Sequence, residues 1–86
     1  MYAGQRPQFS RTRLRPGYAV EEVDALIDRI EATLGHQPQA GVAATAEDVR
    51  TARFRTVRLK PGYDQQEVDE ALDRYQEQLR QLGQSS

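Results

Sequence analysis

The sequence predicts a small, mainly helical domain, of α+β type if its extended arms pair, built from two arm-turn-helix repeats with pseudo-two-fold symmetry. Three observations predict it. The stretch "FSRTRLRPGYAVEEVDALIDRIEATL" (residues 9–34) aligns without gaps on "FRTVRLKPGYDQQEVDEALDRYQEQL" (54–79), with identities running from Phe9/Phe54 through Pro16-Gly17-Tyr18/Pro61-Gly62-Tyr63 to Leu34/Leu79. Each copy ends in apolar residues at helical spacing. Charge is segregated the same way twice, with basic stretches at 1–18 and 45–63 and acidic ones at 19–34 and 64–86. Self-similarity of this kind marks a duplicated supersecondary unit whose copies stack to bury an edge that neither hides alone.

In chain order, residues 1–35 form the first repeat, 36–44 a linker, 45–83 the second repeat and 84–86 a tail. "MYAGQRPQ" is a poor helix and a frayed start. The arm of the second copy, Phe54 to Leu59, alternates enough for a short strand, and the two arms are expected to cross or pair as a two-stranded ribbon. "KPGY" reads as a type II turn, Pro61 presetting φ and Gly62 supplying the positive φ at the third position.

Asp64 then caps a helix, with Glu67 three residues on to complete a capping box, and Tyr63 with Val68 set as a hydrophobic staple. In the first copy Ala19 stands at the cap position. That helix therefore lacks the capping oxygen, which costs it about 1 kcal/mol.

The apolar positions Val23, Ile27, Ile30 and Leu34 in the first helix, and Val68, Leu72, Tyr75, Leu79 and Leu82 in the second, trace narrow heptad-like seams suited to helix pairing or self-association. Gly35 and Gly83 are placed to stop the two helices. "GHQPQAGVAA" is a linker, long enough for either a parallel or an antiparallel pair. Thr45 caps a short extra helix, "AEDVRTAR", with Asp48 as its box partner.

Composition narrows function. The chain has 86 residues, 37% hydrophobic and 29% charged, with no Trp and no Cys. Its core is thin, so stability leans on helix pairing or association, and disulfides and thiolate-bound metals are excluded. No apolar run approaches the ~18 residues that span a bilayer, and no signal peptide is visible. The chain is therefore expected to be soluble or peripheral to a membrane.

Catalysis is not expected. Glu22/Asp24 and Glu67/Asp69 are acids at helix starts, where the helix dipole favours them, and no nucleophile or base converges on them. His36 is the only histidine and lies in the linker. No phosphate loop or nucleophile elbow is present, so no cofactor or metal is anticipated.

The basic residues Arg11, Arg13, Arg15, Arg53, Arg55, Arg58 and Lys60 are the candidates for membrane or partner binding. As a patch they suit anionic lipid. In the competing reading they pair with the acidic helices, Arg13 and Arg58 with Asp24 and Asp69, which recur in both copies. Nucleic acid is disfavoured by the acidic helices and the lack of a stacking platform.

The ordered combination in "TAEDVRTARFRTVRLKPGYDQQEVDEALDR" (45–74), repeated more briefly in "FSRTRLRPGYAVEEVDALIDR" (9–29), resembles the N-terminal domain of the DivIVA family. The resemblance implies a cytoplasmic scaffold or adaptor of bacterial cell division or polar growth, in Gram-positive or actinobacterial cells. It also implies arms that touch the membrane and helices that dimerise as coiled coils. Two features depart from the family: the domain occurs twice with no long coiled coil, and no exposed Phe or Trp is evident at the arm tips. The alternative is a self-associating protein-interaction module with no membrane role.

Overall fold

The computed structural model describes residues 7–12, 15–35 and 43–84. In chain order the elements are β1 (Arg11–Thr12), β2 (Gly17–Tyr18), α1 (Val20–Leu34), α2 (Ala46–Arg50), β3 (Thr56–Val57), β4 (Gly62–Tyr63) and α3 (Gln65–Gln84). The fold is mixed α+β, because four short strands join one antiparallel sheet in the order β1-β4-β2-β3.

The sheet corrects the expected ribbon. The two arms do not pair with each other. They form the outer strands on opposite edges, and each pairs with the Gly-Tyr strand of the other half: Arg11 with Tyr63 and Thr12 with Gly62, Gly17 with Val57 and Tyr18 with Thr56. The two Gly-Tyr strands meet at the centre, Tyr18 opposite Tyr63.

The glycines are needed here for a reason other than a turn. Gly62 lies in β4 and is buried, and its φ is not in the left-handed region, so the expected type II turn is absent. A Cβ on Gly62 would meet Val57 Cγ2 at 2.7 Å and the Tyr18 carbonyl oxygen at 2.8 Å; one on Gly17 would meet the Gly62 carbonyl carbon at 2.8 Å. Only a residue without a side chain lets the two central strands come this close. The chain reverses instead at the bend over residues 58–60.

The helices bury the predicted series. Val23, Ile27, Ile30 and Leu34 on α1, and Val68, Leu72, Tyr75 and Leu79 on α3, all belong to the core, with Leu82 partly buried against it. Leu26, Ala71, Ala44 and Val49 are buried too. The stripe is therefore wider than a two-position seam, since α3 meets α2 as well as α1, and Arg29 of α1 reaches Asp48 of α2. Tyr63 Oη donates to Asp24 early in α1, and Tyr75 Oη donates to Glu31 further along it, so partners advance together and the helices run parallel.

Not every helix end follows expectation. Thr45 and Asp48 form the full capping box of α2, and Gly35 lies at the end of α1 with φ of −84°. Gly83 does not stop α3, which continues to Gln84. Most of the linker, residues 36–42, falls outside the described residues, and its last residue Ala44 is buried, its N–H donating to Thr33 Oγ1 at 2.8 Å.

Candidate functional site

The arms are fixed by the helix starts of the opposite half. Asp64 caps α3, its Oδ1 accepting from Glu67 N–H at 3.0 Å. The other half of the expected box is not closed, because the Glu67 carboxylate turns outward to accept from Ser10 N–H at 2.7 Å, while Asp64 N–H donates to the Ser10 carbonyl at 2.8 Å. The arm backbone thus slots into the capping box. Forty-five positions on, Arg55 N–H donates to Glu22 Oε1 at 2.8 Å and the Arg55 carbonyl accepts from Ala19 N–H at 2.8 Å. Backbone N–H and C=O groups that an outer strand would leave open are satisfied by this two-point clamp.

The aromatics follow the same exchange. Phe9 meets Tyr63 and Phe54 meets Tyr18, ring centroids 5.2 Å apart in both cases. Tyr18 Oη donates to Asp69 and Tyr63 Oη to Asp24, each at 2.9 Å. Burial, reinforced by the neighbouring carboxylate, raises both phenol pKa values. The tyrosines are packed against the core; Asp69, expected to hold Arg58, instead accepts from Tyr18 Oη, while the expected Arg13 pairing lies outside the described residues.

The basic candidates divide in two. Arg15 binds the Asp64 carboxylate. Arg55 binds Glu22 at 2.9 Å and Glu21 at 3.4 Å. Both guanidiniums remain more than two-thirds exposed, so these pairs orient the arms more than they stabilise the fold. Hydrogen bonds from backbone N–H groups, with the arginines adding to them, hold the Asp64 and Glu22 carboxylates below their ordinary pKa. Arg11 lies over the Tyr63 ring, 5.8 Å from its centroid. Arg53, Arg58 and Lys60 make no ion pair among the described residues. Arg13 lies outside those residues.

The residue that sequence reasoning passed over is Leu59. It sits at the reversal between β3 and β4, flanked by Arg58 and Lys60, and is fully exposed; no other large hydrophobic residue is so placed among the described residues. Its signal was present as an apolar residue between two bases, next to Pro61, but the segment had been read as the end of a strand. An exposed leucine ringed by unpaired cations suits a surface that is anionic outside and apolar beneath.

A groove bounded by Tyr18, Arg53, Phe54, Asp69 and Asp73 runs beside α2. Its walls carry both signs of charge, which favours no ligand class. No cluster of metal-ligating side chains occurs among the described residues, and none of the described helices is long and apolar enough to cross a membrane. Comparison with protein families, curated proteins and solved structures gives no match.

Proposed function

We propose that the chain is a DivIVA-like scaffold or adaptor module whose two halves, related by an approximate two-fold axis, complete one another within a single molecule. In this reading it works at the cytoplasmic face of a bacterial membrane during division or polar growth, and presents protein partners there. Arg58, Leu59 and Lys60 touch the anionic lipid surface. Arg53 and the arm residues Arg11 and Arg13 add to the positive field, while the acidic helices face away from the membrane.

The observation that carries this reading is the fully exposed Leu59 between two cations without ion pairs. Each near-surface base contributes about 1 kcal/mol of attraction to an anionic leaflet. Burying a leucine side chain adds about 2 kcal/mol. Either term alone gives weak binding, so lipid contact needs both, or several modules side by side. The reciprocal arm clamp supports the reading further, because it holds the tip on a rigid base.

Vesicle sedimentation tests it. The chain is expected to pellet with vesicles containing phosphatidylglycerol and not with pure phosphatidylcholine. Leu59→Ser should weaken binding by about thirtyfold, and Arg58→Glu with Lys60→Glu by more. Equal binding of parent and variants to both vesicle types would reject the lipid role and favour an interaction module without one.

A further inference from the structure

We propose that Thr56 is a phosphorylation site, and that a phosphate there switches off the basic tip by cancelling its charge. The switch rests on the lipid-facing reading of the tip; the modification itself does not.

Elimination among the serine and threonine hydroxyls of the described residues points to Thr56. Thr33 Oγ1 donates to the Arg29 carbonyl and accepts from Ala44 N–H, Thr45 Oγ1 accepts from Asp48 N–H, and Thr51 Oγ1 donates to the Glu47 carbonyl. Thr12 is half-buried. Ser10 is exposed, but its backbone is held by Glu67 and Asp64, so a phosphate on it would face two carboxylates. Thr56 is exposed and its hydroxyl makes no hydrogen bond among the described residues. It lies on an outer strand paired on one side only, and the residues before it, 52–55, belong to no helix or strand.

Charge around Thr56 favours both the reaction and its consequence. Arg53 and Arg55 precede it by three and one positions and Arg58 follows by two, a context suited to the acidic cleft of a basophilic serine/threonine kinase. In the transfer, Thr56 Oγ1 bonds to the γ-phosphorus of a nucleoside triphosphate as the bond from that phosphorus to the bridging oxygen breaks. The hydroxyl proton passes to the kinase's catalytic base, and the nucleoside diphosphate leaves. The product carries about −2 and three strong acceptor oxygens. Glu21 and Glu22 already engage Arg55, which leaves Arg53, Arg58 and Lys60 as the charges to be offset, and the phosphate offsets about two of the three.

The test uses the full chain. It is incubated with a basophilic serine/threonine kinase and ATP, the phosphate is mapped by mass spectrometry, and binding to phosphatidylglycerol-containing vesicles is measured for the parent, the phosphorylated chain, Thr56→Glu and Thr56→Val. We expect Thr56 to be the principal site. Binding should fall about thirtyfold on phosphorylation and about fivefold for Thr56→Glu, with Thr56→Val unchanged. Circular dichroism melts serve to show that Thr56→Glu stays folded. Phosphate found only elsewhere would overturn the site. Parent-like binding by both the phosphorylated chain and Thr56→Glu would overturn the switch. A parent that binds no vesicle, though phosphorylated at Thr56, would refute the lipid reading and the switch together while leaving the modification standing.

Discussion

Gly17 and Gly62 show how much a single position carries. Each is buried where the two central strands approach too closely for a Cβ. Gly62→Ala should therefore cost about 2 kcal/mol by overpacking, and lower the melting temperature by roughly 10 °C in a domain of this size. A thermal melt unchanged by that substitution would contradict the geometry. The sequence singled out Gly62 but attributed its role to positive φ, because the strand that crowds it comes from the other half of the chain. The tyrosine hydroxyls are a second such case. Tyr18→Phe and Tyr63→Phe together remove two cross-half hydrogen bonds, and a melt should show a loss of about 1–2 kcal/mol.

Titration belongs to the same scale. Glu22 and Asp64 have pKa values below their ordinary ones when folded. Each therefore contributes stability that is fully present above its unfolded pKa and is lost as pH falls through the lower folded value. Tyr18 and Tyr63 have raised values. Their contribution is present below the ordinary phenol pKa and is lost as pH rises through the folded one. Melting temperature should be flat near neutrality, drop below about pH 4.5 and drop again above about pH 10. Glu22→Gln should reduce the acid-side slope, measured as melting temperature against pH.

At the scale of elements, the two long helices begin differently. Asp64 caps α3 and binds Arg15, whereas Ala19 offers α1 no side-chain hydrogen bond. The residue aligned with Arg15 in the second copy is Lys60, which makes no ion pair among the described residues. Ala19→Asp should accordingly restore a cap, and raise stability by about 1 kcal/mol, read as a higher melting temperature. A lower one would mean that the buried site around Ala19 has no room for a carboxylate. The start of α3, the α2 capping box and the apolar faces were legible in the sequence because they are local or periodic. The destination of the Glu67 carboxylate was not, since its partner Ser10 stands 57 residues away. The continuation of α3 through Gly83 was also missed. Glycine is a weak stop where the following residues can still form helical hydrogen bonds.

For the molecule as a whole, the two similar stretches were legible in the sequence and their pairing scheme was not. Sequence offered two arms and two Gly-Tyr strands without stating which joins which, and mixed α+β character followed only once each arm crossed over. The same crossing sorted the cations, taking Arg15 and Arg55 into ion pairs and leaving Arg53, Arg58 and Lys60 without them. If that remaining charge drives surface attachment, vesicle binding should weaken by orders of magnitude between low and high salt, because charges held at the surface are screened over about 10 Å at 0.1 M. Binding insensitive to salt would assign the attachment to Leu59 alone.

The slot between Asp64 and Glu67 is filled by Ser10, and that between Ala19 and Glu22 by Arg55. Neither half, then, carries its own finished beginning. A chain shortened to either stretch alone would keep a helix whose opening turn lacks the strand that fills it. Damage would also appear crosswise, with a lesion before one helix loosening the other first.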